Sequence, residues 1–248
     1  MKIIPLSEGA FTVDKTKQFI PFSKTNDDLQ KRTIGSLLVE IQPFCIVTAD
    51  DIIIIDTGLG FSTADGTLQM HQNLLNNGIN PMDVTKVLLS HLHKDHSGGI
   101  TKENKILNRR NLNFPNALHY VNKQELAYAL ETGEPSYKPA EFQLLEGLPN
   151  VILTEGSGRI NDHIRYETTG AHSPFHQVFW IEDDTQKIFF GGDVAPQLQQ
   201  MKNRFIAKYD FDGKRCMELR QQWWQQGQQE DWTFLFYHDI KTPVFSFQ

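Results

Sequence analysis

The apolar positions come in two rhythms, short β-rich runs and a few helical stretches. Ser36–Ile41 and Cys45–Val47 read as strands separated by Pro43. Ile52–Ile55 is a run of isoleucine, as expected of a strand buried on both faces, and it ends at Asp56. Thr67 to Asn77 suits a helix stopped by Gly78, and Pro81–Met82–Asp83 opens a turn before a strand over Lys86–Ser90. A further strand is expected at Ala117–Tyr120, then a helix over Lys123–Glu131 that stops before Gly133. Glu134 to Pro149 reads as a loop carrying one short helix, Glu141–Glu146. Val151–Leu153, Ile164–Glu167, Gln177–Ile181 and Ile188–Phe190 form a second group of strands, with turns at Gly156–Ser157–Gly158 and Asp183–Asp184. Lys214 to Gln226 is helical, and Trp223 and Trp224 are expected to pack it onto a sheet. Residues 1–31 are poorly periodic and read as an edge strand and a loop. With no linker between the two groups of strands, residues 1–248 are expected to form one α/β domain of two sheets with helices outside.

Composition narrows the class. At 248 residues and 39% hydrophobic, the chain can bury a proper core. A net charge of −6 without a basic block argues against nucleic acid as a partner. Cys45 and Cys216 fit neither a zinc spacing nor a disulfide framework, and Cys45 reads as a small core residue. The N-terminal stretch has no secretory pattern and no run is long enough to span a membrane, so a cytoplasmic protein is expected. Oligomeric state stays open, a homodimer among the options.

The chemistry gathers at Ser90–His91–Leu92–His93–Lys94–Asp95–His96–Ser97–Gly98–Gly99. Three imidazoles and a carboxylate within six residues suit zinc and neighbouring first-row metals, with manganese and iron also acceptable. A strand ending at Ser90 would release His91 and His93 on one side, while Asp95 and His96 start the next turn and aim elsewhere. One segment could thus serve two metals. Elsewhere, His71 reads as a surface residue, His119 as packed in a strand, and His176 as structural.

This His-x-His-x-Asp-His run followed by Gly-Gly resembles the signature of the metallo-β-lactamase superfamily of hydrolases. Further landmarks of that family follow in order: Ile52–Ile55 with Asp56–Thr57–Gly58, Ala171–His172–Ser173–Pro174–Phe175–His176, Ile188–Phe190 with Gly191–Gly192–Asp193, and Thr233–Tyr237 with His238. The resemblance implies an αββα four-layer sandwich, two mixed sheets with helices on the outer faces. It also implies two divalent ions, zinc above all: His91, His93 and His172 on one, Asp95, His96 and His238 on the other, and Asp193 bridging. Asp56 would hold a ligand in place from behind, and residues 1–31 would form, as the alternative to an edge strand and a loop, a hydrophobic arm over the active site. The implied reaction is hydrolysis by a metal-bridging hydroxide, with Asp95 orienting it or shuttling its proton and the metals about 3.5–4 Å apart. The implied substrate is small and ester-like (a lactone, carboxylic ester or organophosphate), as in the lactonase and organophosphate-hydrolase branch. A glyoxalase-II-like thioesterase and a non-catalytic metal-binding member are the alternatives. Val194–Ala195–Pro196 follow Asp193 where lactonases often carry a tyrosine, so Tyr209 or Tyr237 would have to supply one.

Overall fold

In the computed structural model, residues 1–104 and 108–247 are described. Two six-stranded mixed sheets lie face to face. The first runs Lys2–Pro5, Phe44–Val47, Ile52–Ile55, Lys86–Leu88, Leu118–Asn122 and Val151–Thr154, parallel from the third strand onward. The second runs Ser157–Asn161, Ile164–Thr168, Gln177–Glu182, Lys187–Phe190, Trp232–Leu235 and Val244–Ser246, with one parallel pair at Lys187–Phe190 and Trp232–Leu235. A three-stranded sheet, Phe19–Phe22, Gly9–Val13 and Leu37–Ile41, stands beside them.

Alternation along each strand divides the core into layers. Ile53, Ile55 and Leu88 point between the sheets and meet Phe179, Ile181 and Phe190. Their neighbours Ile54 and Val87 point outward, against Met70 and Leu74 of helix Gln69–Asn76 and Leu126 and Ala129 of helix Lys123–Thr132. On the far side, Trp180, Phe189 and Phe234 pack against Leu219 and Trp223 of helix Gly213–Gln229. This is the αββα sandwich. The helix starts and stops follow local chemistry. The Asn122 side chain accepts from the Gln124 and Glu125 amides, Asp212 accepts from Arg215 N, and Gly78 and Gly133 turn off their helices at positive φ. Among the described residues no helix is long and apolar enough to cross a membrane.

Several expectations are corrected. Val151–Leu153 belongs to the first sheet, parallel to Leu118–Asn122, and not with the strands that follow it. Ser157 and Gly158 lie in a strand, Ser157–Asn161, and not in a turn. Ser36–Ile41 and Cys45–Val47 are strands, Leu37–Ile41 and Phe44–Val47, but in different sheets, because Pro43 carries the chain from one to the other. His71 is half-buried and packs edge-on against Phe114, with ring centroids 5.1 Å apart. The first 31 residues hold the edge strand Lys2–Pro5 of the first sheet, two strands of the three-stranded sheet and a loop after Phe22, as the edge-strand-and-loop reading has it, and Val13, Lys17 and Phe19 also line the cavity.

Candidate active site

Two parallel strand pairs end at the same edge of the sandwich, and the candidate residues sit just beyond their C-terminal ends. In the first sheet, Ile52–Ile55 delivers Asp56 and Lys86–Leu88 delivers the His91–His96 run. In the second, Lys187–Phe190 delivers Asp193 and Trp232–Leu235 delivers His238. His172 comes from the loop before Gln177–Glu182. A helix over Lys94–Ser97 carries Asp95 and His96 to a second donor group, although the His96 ring stays packed on His91 with centroids 4.2 Å apart.

The ring atoms converge. His91 Nε2 lies 2.9 Å from His93 Nδ1, and His172 Nε2 lies 3.1 Å from the same atom. Asp193 Oδ2 lies 3.3 Å from His172 Nε2, while its Oδ1 lies 3.1 Å from His96 Nε2 and 3.0 Å from His238 Nε2. Asp95 Oδ2 lies 3.5 Å from His238 Nε2 and 3.7 Å from His96 Nε2. His91, His93, His172 and Asp193 thus make one compact donor group and Asp95, His96 and His238 another, with Asp193 touching both. Every candidate ligand is brought together, and none is stranded.

Does this set suit metal ions? His96 Nε2 and Asp193 Oδ1 are sealed from solvent and stand 3.1 Å apart as an ion pair, but neither makes an aligned hydrogen bond. Buried polar atoms are normally satisfied by well-aligned partners, and a cation between the two would satisfy both. Imidazole and carboxylate are the donors that zinc, manganese and iron accept. The residues fit.

Electrostatics divides the imidazoles by task. Burial, reinforced by neighbouring imidazoles, pushes His91 and His93 well below the usual histidine range, which keeps their ring nitrogens available as donors. For His96 and His238 burial opposes the charged form, but Asp193 and Asp95 outweigh it and raise both. Asp193 is likewise penalised by burial, yet His238, His96 and His172 hold it well below the usual carboxylate range.

A ring of supporting contacts fixes these side chains. Asp56, at a positive φ of 55°, accepts from Ser90 N and Ser90 Oγ, each at 2.7 Å, and pairs with His96 Nδ1 at 2.8 Å. His96 stacks on Tyr237, whose hydroxyl donates to the Asp95 carbonyl at 2.6 Å. His176 is structural: its Nε2 accepts from Asp193 N at 3.2 Å. His238 Nδ1 lies 2.8 Å from the Glu40 carbonyl, which anchors that ring on the third sheet.

Sequence reasoning missed two of these supports. Asp210 sits 2.8 Å from His172 Nδ1, 38 residues away in sequence, and the Asp-x-Asp loop of Asp210 and Asp212, part of the resemblance to the lactonase branch, was the available signal. Fully buried Glu125 accepts from Leu92 N at 3.1 Å and from Ser173 Oγ at 2.9 Å, tying the His91–His93 loop to the His172 loop. Nothing local in a helix starting Lys123–Gln124–Glu125 announces that. Tyr237 packs under the site, and Tyr209 stands at the cavity wall 6.2 Å from the His172 ring.

The donors open into a cavity of about 960 Å³. Leu37, Val39, Phe19 and Phe205 give it apolar walls, and Gln197, Gln200 and Tyr209 supply polar ones.

Comparisons with known proteins agree with this geometry. The family model of the metallo-beta-lactamase superfamily matches residues 42–238. Over 52 residues, 21% of the chain, the sequence is 44% identical to the N-acyl homoserine lactonase AttM of Azorhizobium caulinodans, a match spanning 16% of that relative's length. A probable metal-dependent hydrolase from Staphylococcus aureus superposes with a TM-score of 0.79 at 22% identity, covering 99% of this chain and 91% of that one. AidC, a dizinc quorum-quenching lactonase, gives 0.71 at 19% identity, over 98% of this chain and 88% of that one. The hydrolase AbOPH gives 0.74 at 22%, over 98% and 89%. Such identities speak for the fold alone, but the family model spans most of the chain and both halves of the donor set. The chain belongs to the metallo-beta-lactamase superfamily of hydrolases.

Proposed function

We propose that this protein is a dinuclear metal-dependent hydrolase of small ester-like substrates. The observation that carries the reading is the approach of the Asp193 carboxylate to both donor groups, one oxygen toward His172 and the other toward His96 and His238. His91, His93, His172 and Asp193 would hold one ion, and Asp95, His96 and His238 the other. Two divalent ions bound there, zinc first by donor type, supply Lewis acidity and an activated water.

The chain's own residues do the rest. The cavity walls place the scissile ester over the donor cluster and exclude bulk water from it. Asp95, whose carboxylate faces the cavity, accepts the proton of the attacking water and passes it to the leaving oxygen. One C–O bond forms between the water oxygen and the acyl carbon, and the ester C–O bond breaks. A carboxylate and an alcohol result, or a hydroxy acid if the ester is cyclic. Lactonases among the structural relatives make a lactone the first substrate to try.

Metal analysis, followed by a screen of lactones, aryl esters, thioesters and phosphotriesters, tests the assignment. In the His93→Ala variant metal content and turnover should fall together, whereas unchanged turnover would remove His93 from the site. Asp95→Asn should slow turnover by about 10²-fold or more, as for loss of a proton-transfer group, and cost far less in stability. A fully metallated wild-type protein inert toward every class would favour a binding role.

A further inference from the structure

We propose that the lysines around the cavity mouth form an anion-recognition site, and that the substrate is an ester carrying a carboxylate or phosphate group apart from the bond that is cut. The inference rests on the hydrolase reading above and narrows its substrate class.

Lys15, Lys17, Lys94 and Lys208 all line the cavity that opens onto His93, Asp95, His172 and Asp193. They come from three segments distant in sequence: the loop after Gly9–Val13, the metal-binding run itself, and the loop before helix Gly213–Gln229. Their clustering is therefore a product of the fold and not of a basic stretch. Lys17 stands at a positive φ of 58°, in a turn closed by its amide donating to the Asp14 carbonyl at 3.0 Å. Lys94 is half-buried, and its ammonium lies 5.9 Å from the Phe19 ring centroid at the wall.

What distinguishes these lysines is that they share one opening without an ion-pair partner. Among the described residues Lys2, Lys31, Lys102, Lys202 and Lys241 also lack one but do not line the cavity, and Asp95 and Glu134 act on Lys94 only from beyond ion-pair distance. Lys24, Lys86, Lys123, Lys138 and Lys187 each form an ion pair, with Glu40, Asp51, Glu155, Glu141 and Glu230 respectively. Among the described residues, none of the four cavity lysines has one. Asp14, the other acid at the rim, is engaged by the Thr16 amide at 2.9 Å and hydroxyl at 2.6 Å. On a protein of net charge −6, unpaired ammonium groups gathered around one opening focus a positive potential there. Half-buried Lys17 and Lys94 are placed to contact an anion, while exposed Lys15 and Lys208 steer it inward.

The test uses the metallated full-length protein and two esters of equal acyl length and leaving group, 4-nitrophenyl hexanoate and mono-4-nitrophenyl adipate. The adipate ester should be preferred by about tenfold in kcat/KM at low salt, the size expected of one or two partly screened charge contacts. That preference should shrink to within about twofold at high salt and in the Lys17→Gln/Lys94→Gln double variant, as for loss of those contacts. Lys2→Gln, on the edge strand away from the cavity, should keep it. Metal content and thermal midpoint of the double variant establish that it is folded and loaded. Equal kcat/KM for the two wild-type reactions overturns the proposal, as does a preference surviving in the double variant, which would assign charge recognition to the metal centre. If neither ester is hydrolysed, the hydrolase reading is decided by the wider screen of lactones, thioesters and phosphotriesters. Calorimetric binding of adipate against hexanamide then decides the anion site: tighter adipate binding that the double variant loses supports it, and equal binding sinks it.

Discussion

At the scale of single residues, the most informative side chains are polar ones held where polarity is costly. His119 is fully buried in the strand between Lys86–Leu88 and Val151–Thr154, with its Nδ1 3.1 Å from the Ala117 carbonyl. Burial pushes its pKa down from 6.5 to about 4. The unfolded chain therefore binds a proton below about pH 6.5 that the folded chain refuses until about pH 4, so acid favours unfolding across that window. The full penalty is about 3 kcal/mol, reached near pH 4, and it vanishes above the unfolded value. Replacing the ring with Phe removes the titration. In urea titrations at successive pH values, His119→Phe should gain on the wild type as pH falls from 7 to 4. A gap independent of pH would show that this histidine does not contribute to acid unfolding. The candidate ligands were legible at this scale because motif and donor type coincide in each of them. Glu125 was not, because an orienting carboxylate needs only to arrive near its partner and its own sequence neighbourhood carries no mark of that, while Asp210 showed only in its Asp-x-Asp loop, without its partner.

At the scale of elements, glycines decide how closely loops can pass. Gly192 adopts a φ of +49°, and a Cβ there would lie 2.5 Å from His176 Nε2, the atom that receives the Asp193 amide. Gly133 also has positive φ, at +64°, but a Cβ would meet nothing within 4 Å. With ψ at −151° that position is essentially closed to side chains, so Gly133→Ala should cost about 2–3 kcal/mol of strain yet leave metal affinity alone. Gly192→Ala should cost about 2–3 kcal/mol and also displace Asp193, weakening metal binding by about tenfold or more. Competition with a chromophoric chelator measures the second effect, and equal affinities in the two variants would disconnect this turn from the site. The same reasoning explains where pattern reading failed. Gly158 suggested a turn, but it lies in an edge strand with a negative φ, where a Cβ would meet the Tyr166 hydroxyl at 2.6 Å. It is small for packing and not for bending. Val151–Leu153 was placed with the wrong sheet because a parallel partner, here Leu118–Asn122, lies a helix and a loop away in sequence. Helix Gly213–Gln229 was readable, and Trp223 packs on Phe189 at 4.8 Å as an ordinary core aromatic.

At the scale of the whole molecule, the donor set joins the two sheets at one edge, beside a few hydrogen bonds that also cross there, such as Gln177 N to the Ser90 carbonyl at 2.8 Å and Asn122 Nδ2 to Thr168 Oγ1 at 2.9 Å. His91 to His96 leave the first sheet, Asp193 and His238 leave the second, and His172 lies on the loop entering it. The layered fold was legible because buried strands and amphipathic helices alternate in order. The cavity was not, since its wall depends on Gly9–Val13 pairing with Leu37–Ile41 across a long, poorly periodic stretch. Ions bound at the shared edge would link the two sheets at the point where Asp95 and Asp193 otherwise crowd negative charge, and they bind the folded chain far better than the unfolded one. Removing them should lower the free energy of unfolding by about 4 kcal/mol relative to protein in free metal a thousandfold above Kd. Hydrogen exchange should quicken at residues 90–98, 170–176, 191–196 and 237–239, while the Ile53–Ile55 amides stay protected. Re-adding zinc should restore both. Asp193 reaches both donor groups, so Asp193→Ala should lose most of the metal-dependent increment, whereas the loss in His91→Ala is confined to one group. An unfolding midpoint that does not move when chelation has demonstrably emptied the protein would mean the donors meet without binding, and the hydrolytic reading would go with them.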